Sequence, residues 1–217
     1  MKKVAYTVLV NSYDELKPFV NSPDFDYICF TNMTNINPKG WNIVPLELWN
    51  DDPTRTSRLP KILPHKYLAN YETSVYVDAS IEILSDLNEL IDIVGQHKHA
   101  AFRHCSWHTP MEEVQACIDT NKDDEQVMLK QMGEYFKDGY PNHNKLTANG
   151  VLVRKHMDQE VIDLNEDWWK EIETKSRRDQ ISFGYVAWKR DFEFGILPDL
   201  FVSPMFRKYF YYQGHRK

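Results

Sequence analysis

Glycine is scarce in this chain: eight in 217 residues, none spaced as G-x-G-x-x-G or as a Walker-type loop. The two backbone cradles by which α/β proteins commonly hold a diphosphate are therefore absent. A nucleotide ligand would instead need a cation and basic side chains. Cysteine is scarce too. Cys29, Cys105 and Cys117 form no C-x-x-C pair, which argues against a disulfide framework or a zinc knuckle and for a reducing compartment. No apolar run approaches the length of a membrane span. Met1-Lys2-Lys3 opens like a signal peptide, but the apolar stretch at 4–10 is short, is interrupted by Thr7 and leads to no small-residue cleavage site. It reads as a first strand, and the expected location is the cytoplasm. A net charge of −6 offers no basic footprint for nucleic acid, which leaves at most peripheral membrane contact.

What the chain does have is ordinary globular composition, 42% hydrophobic and 27% charged, in a length that suits one domain spanning 1–217. Aromatic content is high at 13%. Much of it belongs in a core, and the remainder suits stacking on sugar rings or bases. The basic, aromatic tail at 207–217 (Arg207, Lys208, Arg216 and Lys217 among tyrosines) reads as a solvated terminus.

Strands are expected at 4–10, 26–31, 41–46, 74–78 and 100–105, and a further one after a turn at Asn149-Gly150. Ser12 is placed to cap a short helix. Residues 56–71 look helical, with breaks forced at Pro60 and Pro64. Thr109-Pro110-Met111-Glu112 is a capping-box helix start with proline at the first helical position. Helical spacing recurs at 86–94, in the stripe from Val127 to Phe136, from Val161 to Ile172, and at 178–190. Strands and helices alternate, so the expected class is α/β: one mostly parallel sheet with helices on both faces.

The candidate chemistry centres on Ser74-Val75-Tyr76-Val77-Asp78-Ala79-Ser80. The apolar run suits a strand buried on both faces, and Asp78 falls where the strand stops. Carboxylates at the carboxyl ends of central strands sit where open α/β sheets bind ligands. Such a group can hold a divalent cation, and the cation a diphosphate; a plain turn cap is the simpler alternative. Arg55, Arg58 and Lys61 precede this strand, and Arg58 and Lys61 share a helical face. They are placed to neutralise a diphosphate, or else are surface charges. His104 and His108 flank Cys105 in a loop, without the H-E-x-x-H context of a zinc hydrolase. That loop, with Trp107 available for sugar stacking, reads as pocket lining. Arg178-Asp179-Gln180 opens a helix, where Asp179 suits the macrodipole and can also project into a site.

Taken together, the Arg58-x-x-Lys61 approach, Tyr76-Val77-Asp78-Ala79-Ser80-Ile81, Leu152-Val153-Arg154-Lys155-His156, Trp168-Trp169 and Arg178-Asp179-Gln180-Ile181-Ser182-Phe183 resemble the TOD/MUCI glycosyltransferase-like domain family over nearly the whole chain. That family is similar to GT-A nucleotide-sugar transferases, the glycogenin-like group in particular. The resemblance implies a GT-A-like (Rossmann-like) fold and a divalent-metal-dependent glycosyltransferase. It would move a hexosyl group from a nucleoside-diphosphate sugar to a glycan or glycolipid acceptor, in polysaccharide or lipopolysaccharide assembly. It also implies site roles. Asp78 would be a ligand of Mn2+ or Mg2+, with Ser80 in the place of the second acid of a D-x-D motif. Asn149-Gly150 would be the sugar-side turn, and Asp179-Gln180 the catalytic, sugar-contacting pair. Arg58, Lys61 and Arg178 would assist at the diphosphate, and His104, Trp107 and His108 would line an acceptor loop. His215 is a further candidate for a terminal metal ligand. Serine in the second acid's place implies weaker metal affinity, or a metal held mostly by the diphosphate. Two alternatives stay open: a metal-dependent, ceramidase-like amide hydrolase, and a non-catalytic sugar- or nucleotide-binding domain.

Overall fold

The computed structural model describes residues 2–106, 108–142, 146–200 and 203–214. The chain begins with β1 (Lys3–Leu9), β2 (Phe25–Thr31) and β3 (Asn42–Pro45), then α1 (Pro53–Ile62) and its short continuation α2 (Pro64–Tyr67). β4 (Thr73–Val77), β5 (Ile81–Ile83), α3 (Leu87–Val94) and β6 (His99–Arg103) follow. Next come α4 (Pro110–Asp119), α5 (Glu125–Lys137), β7 (Thr147–Arg154), α6 (Gln159–Thr174) and α7 (Asp179–Lys189). β8 (Gly195–Leu200), α8 (Pro204–Tyr209) and β9 (Phe210–Tyr212) complete it.

Seven strands form one sheet in the order β3-β2-β1-β4-β7-β6-β8. Every neighbouring pair is parallel except those of β7, which runs antiparallel to both β4 and β6. The exception follows from the connections. A single crossover helix, such as α3, returns the chain to the end where the preceding strand began, so the next strand is parallel. Two helices in succession, α4 and α5, bring it back to the end it left, so β7 must run the other way. α6 and α7 repeat the device and restore the original direction in β8.

Both faces of the sheet are covered. One carries α1, α4, α5, α6 and α7, whose Ile62, Val114, Met128, Trp168 and Phe183 bury against Tyr6, Tyr76 and Leu152. The other carries α3 and α8, with Leu87, Leu90 and Phe206 against Val75, Val77 and Val153. Val75 and Tyr76 thus point to opposite cores, as the two-sided apolar run of β4 requires.

Four expectations need correction. Ser12 caps no helix: Asn11 and Ser12 both have positive φ (53° and 54°), so the chain turns there instead. Pro60 does not break its helix, which begins earlier, on the Asp52 cap, and runs through Pro60 to Ile62. The proline lies in the last turn, so it forgoes the one bond to the Thr56 carbonyl, and Leu63 N still closes the helix on Leu59 O. Asn149-Gly150 is not a turn before β7 but part of it. The described part of the tail, 207–214, is not wholly solvated: Tyr209 and Phe210 are buried and β9 pairs with β5, while Arg207, Lys208 and Tyr211 stay exposed.

Candidate active site

In the sheet order β1 lies between β2 and β4, so the chain departs from β1 in both directions. The crevice outside the carboxyl ends of strands at such a reversal is where open α/β sheets bind ligands. A cavity of about 680 Å³ lies there. Its floor is the end of β1 (Val8, Leu9) and of β4 (Tyr76, Asp78, Ser80). Arg58 and Lys61 of α1, Asn149 and Gly150 of β7, and Arg178, Asp179 and Gln180 at the start of α7 form its walls. His104, Lys122 from the α4–α5 connection, and Tyr212 of β9 also line it. The structure thus brings together Arg58, Lys61, Asp78, Ser80, His104, Asn149, Gly150, Arg178, Asp179 and Gln180. It does not bring His108, which is exposed and off the cavity, its backbone N–H tied to Glu112 in the α4 capping box. Trp107 and His215 lie outside the described residues.

The centre of the site is a ladder of alternating charge. Lys61 Nζ is 2.8 Å from Asp179 Oδ2 and 3.5 Å from Asp78 Oδ1, and Arg58 Nε is 3.2 Å from Asp179 Oδ1. Lys61 and Asp179 are each only 2% exposed. Burial opposes ionisation of Asp179, but Arg58, Lys61 and Arg178 overcome it and hold the carboxyl well below the usual carboxylate range. The spacing of Arg58 and Lys61 on consecutive turns of α1 lets one carboxylate at the N-terminus of α7 collect both. Arg55, expected beside them, instead caps α6: its guanidinium donates to the Ile172 and Lys175 carbonyls and pairs with Asp52.

Asp78 is the more accessible carboxylate, with a side chain 33% exposed. Its backbone N–H donates to Gly150 O, joining the end of β4 to β7. Here the pairing of β6 with β7 jumps from Ala101↔Leu152 to Phe102↔Ala148. The intervening residues of β7 form a bulge, a common device for re-aiming a side chain beside a site. Asn149 sits in it, 2% exposed; its Oδ1 accepts from Thr147 Oγ1 at 2.8 Å and its Nδ2 has no partner among the described residues. Beside it, Gln180 Nε2 donates to Thr147 O, and Arg178 reaches Glu113 and Gln180. His104, half-buried, has its pKa lowered by desolvation, only partly offset by the attraction of Glu113.

Among the described residues no group of three or more His, Cys, Asp or Glu is arranged to hold a metal ion. Asp78 and Ser80 do fit a less self-sufficient cation. Tyr76 and Lys61 both reach Asp78 Oδ1, so Oδ2 is left without a partner among the described residues, and Ser80 Oγ is a buried hydroxyl with no partner. Two hard oxygen donors beside a cleft suit Mg2+ or Mn2+, which are commonly held by one or two carboxylates together with substrate phosphates.

Sequence reasoning missed several residues of this site. Tyr76 was legible only as a strand former, although its hydroxyl donates to Asp78 at 2.6 Å. Glu113 arrives from α4, Lys122 from the α4–α5 connection and Tyr212 from β9, all remote in sequence from Asp78, and no motif assigned them to the site.

The fold is GT-A-like, an architecture found in glycosyltransferases of known structure. The structure aligns with the apo form of the bifunctional glycosyltransferase WbbM with a TM-score of 0.53 at 11% identity, over 91% of this chain and 39% of that one. GlyE of Streptococcus pneumoniae TIGR4 aligns with a TM-score of 0.49 at 11% identity, over 91% of this chain and 45% of that one. The chain belongs to the TOD1/MUCI70 glycosyltransferase-like domain family, whose model matches residues 31–215. It is 25% identical over 158 residues to the probable hexosyltransferase MUCI70 of Arabidopsis thaliana, a match that takes in 67% of this chain and 27% of that protein. The chain thus spans about a quarter of that relative's length.

Proposed function

We propose that this domain is a glycosyltransferase that moves a hexosyl group from a nucleoside-diphosphate sugar to a glycan or glycolipid acceptor, in polysaccharide or lipopolysaccharide assembly. The observation that carries the reading is the Arg58–Asp179–Lys61–Asp78 ladder at the floor of a 680 Å³ cleft over the ends of β1 and β4. A nucleoside-diphosphate sugar needs a cationic surface for its leaving group and oriented polar groups for its sugar, and both line this one cleft.

In this reading Asp78 and Ser80 would hold a divalent cation together with the donor diphosphate. Bound there, the cation would neutralise negative charge accumulating on the departing diphosphate. Lys61, fixed between two carboxylates, adds positive charge at a set position. Arg58 does the same from the next turn of α1. Asn149 and Gln180 face the sugar side, where the Asn149 amide has hydrogen-bond capacity to offer a hydroxyl. Asp179 accepts from sugar hydroxyls and positions the two cations. A carboxyl held so far into its ionised form is a poor proton acceptor, so the role of base on the acceptor is not assigned to it. The three cysteines are unpaired, which supports the expected reducing, cytoplasmic setting.

The test is calorimetric binding of a panel of nucleoside diphosphates with and without manganese, followed by hydrolysis of the matching sugar donors. Binding that manganese strengthens, with release of free hexose, is the expected result. Binding without turnover toward any donor or acceptor would favour the non-catalytic alternative, and no binding at all would reject the site.

A further inference from the structure

Tyr76 touches both sides of the charge ladder from beneath. Its hydroxyl donates to Asp78 Oδ1 at 2.6 Å, and the Lys61 ammonium lies 5.0 Å from the centroid of its ring. The side chain is 2% exposed. Asp78 is its one hydrogen-bond partner among the described residues. The ring is itself fixed: it meets Tyr6 edge-on at 5.3 Å, and the Tyr6 hydroxyl, held by the buried Arg154, donates to the α1 backbone at Pro60 O or Lys61 O. Tyr6 thus ties the floor of β1 and β4 to the helix that carries Lys61.

We infer that Tyr76 is a positioning residue for the donor site: it holds Asp78 Oδ1 and Lys61 on the protein side, and so presents Oδ2 alone to a cation-bound diphosphate. Two facts carry this. Both protein contacts of the carboxylate fall on the same oxygen. A β4 side chain that had only to fill the core would need no hydroxyl, and an apolar ring would avoid burying one. A hydrogen bond to a charged group also fixes the carboxylate rotor, which Lys61 at 3.5 Å does less well.

The inference rests on the proposed donor-binding role, and its test separates the two. Tyr76→Phe keeps the ring against Tyr6 and beneath Lys61 and removes only the hydroxyl. Affinity for each of the common nucleoside diphosphates is measured by calorimetry with manganese and again with a chelator, alongside the melting temperature of the ligand-free protein. The expected result is a loss of about tenfold, the scale of one hydrogen bond to a charged group, in the presence of manganese alone. Affinity with chelator should be unchanged. Equal weakening with and without manganese, or no weakening, would overturn the positioning role while leaving the donor site standing. Absence of manganese-strengthened binding in the unsubstituted protein would reject the cation reading itself, and this inference with it. Should Tyr76→Phe fail to fold, Tyr76→Leu supplies the second variant: it leaves the Asp78 carboxylate in place and removes its hydroxyl partner. The same selective loss of manganese-dependent affinity is expected, and retention of full affinity would count against the inference.

Discussion

The Lys61 ammonium lies 2.8 Å from Asp179 Oδ2, with both side chains excluded from solvent. α1 and α7 meet through this pair at the mouth of the crevice between β1 and β4. Removing either partner strands the other's charge in a low-dielectric setting, which costs more than the pair is worth intact. The same pair therefore serves the fold and the proposed chemistry, and substitutions there must be read on both scales.

Asp179→Asn keeps the shape and removes the charge. Arg58 and Lys61 then face each other with no anion between them, and breaking a buried pair in this way typically costs about 3–5 kcal/mol. The expected outcome is a clear fall in unfolding free energy in urea, together with a loss of donor hydrolysis that exceeds the loss of diphosphate affinity. A variant as stable as the parent would show that Asp179 is not the electrostatic centre of this site.

Asp78→Ala and Ser80→Ala separate the two oxygen donors. Asp78→Ala should abolish the manganese dependence of diphosphate binding and cost about 1–3 kcal/mol, because it orphans the buried Tyr76 hydroxyl. Ser80 Oγ has no partner among the described residues, so Ser80→Ala should leave the melting temperature nearly unchanged and weaken only manganese-dependent binding. If Ser80→Ala binds manganese and diphosphate like the parent, Asp78 is the sole protein ligand.

Arg55→Met tests the reassignment of that arginine. Its two carbonyl acceptors at the end of α6 would lose their donors, at a cost of about 1–3 kcal/mol. Diphosphate affinity should not change, since Arg55 faces α6 rather than the cleft. Weakened affinity in a variant that melts normally would return Arg55 to the site.

Two buried histidines set the acid limit of stability. Desolvation pushes His99 well below its ordinary value and His156 to about 4. Both are neutral in the fold and titrate near 6.5 in the unfolded chain. Their contribution is complete above that value and is lost as the pH falls through the folded ones, since the unfolded state takes up protons first. Between pH 6.5 and 4 the proton taken up by His156 in the unfolded chain alone should steepen the decline by up to about 1.4 kcal/mol per pH unit, and His99 adds to it in the same direction. Asp179 has the same sign lower down, its contribution being lost only as the pH falls below about 4. Urea unfolding from pH 7.5 to 4.5 checks this, and His156→Gln should flatten the slope by one proton. An unchanged slope would mean that His156 is not buried neutral.

The strand that ends at Asp78 and the capping-box start of α4 were legible because each is written in a few adjacent residues: an apolar run with an acid at its end, and a Thr-Pro-x-Glu signature. The α/β class followed from alternation, another local pattern. The same logic misread Pro60, whose effect depends on where its helix begins, and Asn149-Gly150, whose turn-like composition serves a bulge inside β7. A helix start and resemblance marked Asp179 and Gln180, and helical spacing marked Arg58 and Lys61, but none of these could tell that the two cations meet Asp179. That pairing, the hold of Tyr76 on Asp78 and the withdrawal of Arg55 into the end of α6 are decisions of tertiary structure. Hydrogen bonds and ion pairs between residues far apart in sequence depend on the angle at which helices cross the sheet, and on which oxygen of a carboxylate a neighbour reaches first. Local propensity carries neither. The chain's own sequence determined which residues bear charge near the strand end, and packing of α1 and α7 over the crevice decided which of those charges neutralise one another and which face the cleft.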